Sequence, residues 1–208
     1  MATDKLKIYN GALRLIGERK TTLTEDRAAR RYLDDAWDDE LIRGCLEEGY
    51  WTFAIRSIKM EASASIEPDN FGYRYAFERP DDYVKTDSFC SDGFFRNAIV
   101  DYDDEAGVWY CDVDTVFLKY VSDDAAYGGN MGLWPRSFQK FMQAELADSV
   151  KELITGNDGK YERIKSAKKE AKLMARNKDS MNKAPKRQKF GSFVGARMRG
   201  VTDNDGQK

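Results

Sequence analysis

The chain of 208 residues is long enough for one large domain or two small ones, and its composition, 41% hydrophobic and 12% aromatic, excludes wholesale disorder. Histidine is absent, which excludes Ser-His and Cys-His nucleophile pairs and removes the commonest general base and metal ligand. The net charge of -2 conceals an asymmetry, because residues 160–199 carry a balance of +11 and residues 1–159 a balance of -12.

The sequence carries no recognisable membrane or targeting segment. No apolar run approaches the roughly 20 residues that a membrane span needs, and the N-terminus lacks the apolar region of a signal peptide. Cys45, Cys90 and Cys111 are odd in number and form no paired motif, which favours reduced, buried thiols over a disulfide framework. We therefore expect a protein that is made and kept in the cytosol.

Two helices are predicted in the first 50 residues. Apolar residues recur at helical spacing between Thr3, a candidate N-cap, and Gly17, a candidate helix end. Thr22 and Glu25 have the spacing of a capping box and precede a second, longer helix that ends near Gly49. One face of this second helix is apolar and the other is acidic, so we expect it to pack on one side only.

From Trp51 onward the hydrophobic period changes to two, which indicates strands. A turn is expected at residues 79–83, RPDDY, because proline and aspartate favour turn conformations. The two last predicted strands are separated by three residues and are expected to form a hairpin. The predicted strands are residues 51–56, 71–77, 94–100, 107–111 and 115–121.

A glycine-rich loop, YGGNMGLWP at 127–135, precedes two further predicted helices. Pro135 suits the first turn of a helix that continues to Gly156, and a basic helix follows over residues 159–179. After Asn182 regular structure is expected to stop. The order of helices, strands, helices and tail predicts an α+β fold, with a helical bundle formed from both ends of the chain, an inserted antiparallel β-rich domain and an extended C-terminal tail.

This order also predicts domain boundaries. The helical domain takes its first part from residues 1–50 and its second part from residues 133–182. The β-rich domain is inserted between them at residues 51–132, and the basic C-terminal arm covers residues 183–208.

Acidic motifs are the remaining candidates for chemistry. DYDDEAGVWYCD at 101–112 partly imitates a calcium loop, but it lacks the glycine at position six and ends in Asp112 instead of a bidentate glutamate. The pairs Asp81–Asp82 and Asp112–Asp114 lie in predicted turns, which favours solvated loop residues over acid–base catalysis. No phosphate-binding glycine motif occurs. We therefore predict no catalytic, cofactor or metal site, and no enzymatic activity.

The segment MNKAPKRQKFGSFVGARMRG at 181–200 is basic, broken by proline and glycine, and too poor in apolar residues to form a core. It has three interpretations: an arm that docks on a protein partner, a solvated disordered terminus, or an arm that binds nucleic acid. The acidic body argues against nucleic acid. In the docking interpretation, the contact residues are Lys186, Arg187, Lys189, Phe190, Phe193 and Arg197.

Four segments, in this order, carry a resemblance to a known family: ALRLIGERKTTLTEDRAARR at 12–31, LEEGYWTFAIR at 46–56, YAFERPDDYVK at 75–85 and DAAYGGNMGLWPRSFQKFM at 124–142. Together they resemble the tail tubular protein A family of tailed bacteriophages. The specificity lies in their order and spacing, since each motif alone is loose.

The resemblance implies a virion structural protein, a head-to-tail adaptor or connector. Such a protein is made in the host cytoplasm, forms a ring, commonly a dodecamer, beneath the portal protein, and gives the tail or further neck proteins their attachment surface. DNA passes through the lumen without specific binding, and no cofactor or membrane is involved. Adaptors of this kind often bind the portal through an extended C-terminal segment, which here would be residues 183–208.

Two alternatives to the adaptor stay open. The first is another neck or tail-completion protein on the same axis, such as a stopper or terminator. The second is a DNA-binding packaging factor that uses the basic residues 160–199.

Overall fold

The computed structural model describes residues 4–22, 24–66 and 72–182, which form a mixed α+β fold with antiparallel sheets, as predicted. The helices are α1 (Lys5–Ile16), α2 (Ala28–Asp38), α3 (Leu41–Glu47), α4 (Arg136–Ile154) and α5 (Asp158–Asn182). The strands are β1 (Ile55–Glu61), β2 (Tyr75–Glu78), β3 (Tyr83–Cys90), β4 (Asp103–Glu105), β5 (Val108–Cys111) and β6 (Thr115–Ser122). None of the described helices is both long and apolar enough to cross a membrane.

Helix α1 is capped at both ends by local interactions. The side chain of Asp4, and not that of the predicted Thr3, is the N-cap and accepts a hydrogen bond from the Lys7 amide at 2.7 Å. Gly17 ends the helix as predicted, because its φ of 86° is a left-handed conformation that glycine adopts without steric strain.

The capping box predicted at Thr22 and Glu25 is wrong. The Asn10 side chain accepts a hydrogen bond from the Thr21 amide at 2.8 Å and donates one to the Thr21 carbonyl at 3.2 Å. These two bonds hold the segment before α2 against α1 as a loop. Helix α2 therefore begins only after Arg27.

The single long helix predicted up to Gly49 is also wrong, because it breaks between α2 and α3. Glu40 adopts a left-handed conformation with φ of 52°, which a helix interior does not allow. The break gives α3 its own direction, in which Leu41, Cys45 and Leu46 are buried.

All five helices contribute to one hydrophobic core, so helices from both ends of the described chain pack together. Helices α1 and α4 approach closely at Gly11, where a Cβ atom would overlap with the side chain of Gln143. Trp51 lies in the same core, and its Nε1 donates a hydrogen bond to the Cys45 carbonyl at 3.0 Å. The core includes Ile8, Leu13, Leu33, Leu46, Trp51, Phe138, Phe141, Leu146, Ile164 and Ala175.

The strand predicted from Trp51 starts later, at Ile55. A 3₁₀ turn, Thr52–Ala54, precedes it. The Asp179 carboxylate of α5 fixes this turn by accepting hydrogen bonds from the Thr52 amide at 2.9 Å and the Thr52 hydroxyl at 2.6 Å. This contact between distant parts of the chain overrides the local alternation of apolar residues.

The six strands form two antiparallel sheets with the orders β1-β6-β3 and β2-β5-β4. Strands β5 and β6 lie in different sheets, so the hairpin predicted between them is wrong. Residues from both sheets share a second hydrophobic core: Phe77, Phe89, Trp109, Cys111, Val116, Leu118 and Tyr120. All three cysteines are buried and form no disulfide, as predicted.

The strand predicted over residues 94–100 is absent from the described chain. The Asp92 carboxylate accepts hydrogen bonds from the amides of Phe94, Arg96 and Asn97, which folds the segment into a turn. Strand β3, which the sequence analysis missed, occupies the edge of the first sheet beside β6.

Candidate functional site

The predicted portal-binding residues lie outside the described part of the chain: Lys186, Arg187, Lys189, Phe190, Phe193 and Arg197. The helix that leads to them, α5, is tied to the body near its C-terminal end. Arg176 pairs with Glu48 at 3.0 Å, and Asp179 binds Thr52 as described above. The C-terminal end of the described part of the chain, at Asn182, is therefore anchored.

The residues of the two acidic pairs considered in the sequence analysis differ in their exposure to solvent. Asp112 and Asp114 are exposed, as predicted, and so is Asp81. Asp82 is different, because its side chain is only 15% exposed and accepts hydrogen bonds from Arg56 at 2.8 Å and Tyr120 at 2.9 Å. The prediction of a solvated Asp82 is wrong, since this carboxylate joins β1, β3 and β6.

Asp82 also accepts a hydrogen bond from the Ser122 hydroxyl. Burial alone would raise the pKa of this carboxyl, but the hydrogen bonds from Ser122, Arg56 and Tyr120 outweigh burial and hold the pKa below its usual value. Burial and the hydrogen bond to Asp82 raise the pKa of the Tyr120 hydroxyl. These four residues, Asp82, Arg56, Tyr120 and Ser122, form what we call the Asp82 cluster. At neutral pH the cluster holds an ionised carboxylate and a neutral tyrosine, which suits a structural role and not acid–base chemistry.

We expect Asp82→Asn to lower the free energy of unfolding by about 1–2 kcal/mol at pH 7, because the charge-assisted bond from Arg56 is lost. A carboxyl with a depressed folded-state pKa stabilises above its unfolded pKa of about 3.9 and loses that contribution as the pH falls through the folded value. The difference between variant and wild type should therefore shrink below about pH 4. Urea unfolding between pH 7 and pH 3 measures it, with Asp81→Asn as the exposed control. A difference independent of pH would contradict this role.

The glycine-rich loop at 127–135 packs against Ser122 of the Asp82 cluster. The Gly128 amide donates to the Ser122 carbonyl at 3.1 Å, and the indole Nε1 of Trp134 donates to the Gly128 carbonyl at 2.8 Å. A Cβ atom at Gly128 would overlap with the Ser122 carbonyl and would lie 2.7 Å from a methyl group of Leu46. Close backbone packing, not phosphate binding, explains this glycine.

The segment that imitates a calcium loop forms the hairpin of β4 and β5, with the turn at Ala106 and Gly107. Asp103, Asp104 and Glu105 are all exposed on β4, at the edge of the second sheet. Among the described residues, no three Cys, Asp or Glu side chains are placed to hold a metal ion.

The most distinctive surface feature is a groove of about 560 Å³ between α1 and α4, which we call the basic groove. Three cations come from α1 and the loop after it, and two from the first turns of α4; no carboxylate lines it. These cations are Lys7, Arg14, Lys20, Arg136 and Lys140. Among the described residues, none of the five forms an ion pair, whereas Lys168 on α5 binds both Glu145 and Asp148.

The floor of the basic groove is polar and recessed. Gln139 and Gln143 lie one helical turn apart on α4, and each is only 9% exposed. The Gln139 amide donates to the Trp134 carbonyl at 2.8 Å. The Gln143 amide lies against Gly11, lines the groove, and makes no hydrogen bond to another described residue. Solvent in the groove therefore reaches this amide, which is available to a ligand.

This arrangement is suited to an anion. The groove combines unneutralised cations with a recessed amide, and the positive end of the α4 dipole lies beside it because Arg136 opens that helix. Carboxylates and phosphates are the anionic groups that lysine and arginine bind in proteins.

The sequence analysis missed the basic groove. It assigned the positive charge to residues 160–199, whereas these cations lie within residues 1–159, whose summed charge is -12. Helical spacing was the available signal, since Lys7 and Arg14 are seven residues apart and Arg136 and Lys140 are four apart. Their convergence depends on the packing of α1 on α4, which spacing alone does not give.

Substituting Lys140 should show that the groove charges do not stabilise the fold. We expect Lys140→Gln to raise the free energy of unfolding by about 0.2–0.5 kcal/mol, because it relieves like-charge repulsion. The matched control Lys168→Gln should lower it by about 0.5 kcal/mol, because Lys168 has two carboxylate partners. Urea unfolding measures both. A greater loss for Lys140→Gln than for Lys168→Gln would contradict the assignment.

A scan against protein-family models finds no matching family, and a search of curated proteins finds no match.

Proposed function

We propose that this protein is a head-to-tail adaptor of a tailed bacteriophage: a virion structural protein that forms a ring under the portal and connects the DNA-filled capsid to the tail. The observation that carries the proposal is the convergence of three of the resembling segments on one junction. Ala54, Asp82 and Gly128 come from segments distant in sequence, and Gly128 packs against Ala54. Ser122 links two of them, since its hydroxyl donates to Asp82 and its carbonyl accepts from the Gly128 amide.

The junction lies between the helices and the sheets. Gly128 packs against Leu46 of α3 and against Ala54, which directly precedes β1. The resembling segments are therefore the ones that join the helical core to the strands, which gives their order and spacing a physical reason. This supports the proposed layout of a bundle from residues 1–50 and 133–182, a β-rich domain at 51–132 and an arm at 183–208.

The charge distribution suits an adaptor better than a packaging factor. Several cations of α5 are neutralised within the chain: Lys168 binds Glu145 and Asp148, and Arg176 binds Glu48. Part of the positive charge of α5 is therefore neutralised by carboxylates of the same chain. Acidic residues on the wall of a ring channel would also suit DNA passage, because attraction to phosphates would slow translocation.

Co-sedimentation with the portal protein of the same phage tests the proposal. The adaptor should pellet with assembled portal. A packaging factor should instead bind duplex DNA with an affinity that falls steeply as salt rises. A stopper or terminator should bind a portal that already carries an adaptor, and should not bind the bare portal. Failure to bind bare portal would contradict the adaptor assignment.

A further inference from the structure

We infer that the basic groove binds the acidic β4–β5 hairpin of a second copy of this chain. The inference rests on the proposed ring and names a contact between its neighbouring subunits. A ring needs a heterologous interface, in which one patch of a subunit meets a different patch of the next. The chain carries two patches of opposite charge that suit such a contact.

The hairpin presents exposed carboxylates on the edge strand of a sheet. Strand β4 lies at the edge of its sheet, and its side chains alternate between two faces. Asp104 pairs with Arg79 on one face. Asp103 and Glu105 share the other face, are exposed, and form no ion pair with another described residue. Two unneutralised carboxylates are thus available side by side.

The spacing of the two charge sets matches. Asp103 and Glu105 are two residues apart on β4, which separates them by about 7 Å along the strand. Arg136 and Lys140 are four residues apart, or about 6 Å along α4. Each carboxylate can therefore meet one cation of the groove, while Arg14 and the unpartnered Gln143 amide remain to bind the hairpin further.

The hairpin carboxylates also protect the monomer, since a charged edge strand resists unwanted strand pairing. The groove cations do not stabilise the monomer, because they repel one another and α4 carries no acidic residue in its first turn. Free DNA is disfavoured as the occupant, since the surrounding body carries -12. A neighbouring subunit instead brings its hairpin at high effective concentration.

Charge reversal with zero-length cross-linking tests the contact. Isotopically labelled and unlabelled copies are mixed, free and with portal, and a carbodiimide joins contacting lysines and carboxylates. Wild type should give cross-links between copies from Lys7, Lys20 or Lys140 to Asp103 or Glu105. The groove variant Arg136→Glu/Lys140→Glu and the hairpin variant Asp103→Lys/Glu105→Lys should each reduce intersubunit association at least about tenfold.

An equimolar mixture of the two variants should restore association, because each reversed patch then faces its complement. That rescue also shows that both variants are folded. The control Asp35→Lys/Asp39→Lys makes the same charge change as the hairpin variant on two exposed acids, one in α2 and one at its C-cap, and should leave association unchanged.

Three results would overturn the inference: no such cross-links in either free or portal-bound protein, reversals without effect, or an equal loss in the control. A fourth would be a groove variant that loses duplex DNA binding while its cross-links persist, which would assign the groove to nucleic acid. Protein that binds portal without these cross-links would refute this contact and leave the adaptor proposal standing. Cross-links without portal binding would support this contact and contradict the adaptor proposal.

Discussion

Deleting residues 183–208 is expected to lower the affinity for portal at least about 100-fold, or about 2.8 kcal/mol. The segment combines two aromatic anchors with a row of cations, and buried aromatic and arginine residues supply most of the binding energy in protein interfaces. The loss should appear in co-sedimentation or surface binding to assembled portal. The fold should be unaffected, because α5 is described up to Asn182 and is anchored to the body by Asp179.

Point variants refine this expectation. Phe190→Ala with Phe193→Ala should account for most of the loss, and substituting Lys186, Arg187, Lys189 and Arg197 by glutamine should mainly increase the sensitivity to salt. The matched control is Val201→Ala, which lies in the same segment outside the proposed contacts. Undiminished binding by the truncated chain would rule out the docking arm.

Gly128→Ala is expected to lower the free energy of unfolding by about 3 kcal/mol, the largest stability effect that we predict for one methyl group. The new Cβ would meet the Ser122 carbonyl, the Leu46 side chain and Ala54 at once, and a backbone carbonyl bonded to Gly128 itself cannot move away cheaply. Because this loop also holds Trp134, the junction between helices and sheets should loosen. Urea unfolding and the fluorescence of the buried tryptophans measure the effect.

The control for this prediction is Gly44→Ala. Gly44 lies in α3, and a Cβ there would meet nothing within 4 Å. The same substitution should therefore stabilise the protein by about 0.5–1 kcal/mol, because alanine loses less backbone entropy than glycine in a helix. Similar effects at both glycines would contradict the close packing at Gly128.

The elements that follow from local periodicity could be predicted from the sequence. The helices α4 and α5, the strands β5 and β6, and the end of α1 at Gly17 lie where hydrophobic spacing and turn residues place them. The failures have long-range causes. Asp179 converts the residues after Trp51 into a 3₁₀ turn, and Asn10 delays the start of α2. Strand β3 is half-buried along most of its length and shows no alternation to detect.

The candidate site was less accessible to sequence reasoning than the fold. The cations of the basic groove come from α1, the loop after it and α4, which are more than a hundred residues apart in the chain, and they lie within residues 1–159, whose summed charge is -12. Asp82 resembled a solvated turn residue because its three donors, on β1 and β6, are also distant in sequence. In both cases, tertiary packing decides what a charged side chain contacts.

Electron microscopy of residues 1–208 mixed with the portal protein that the proposed adaptor would bind tests the central claim most directly. The adaptor assignment predicts a symmetric ring, a dodecamer by family resemblance, bound beneath the portal with residues 183–208 lying on the portal surface. Portal particles without such a ring, at protein concentrations that saturate the binding assay, would contradict it.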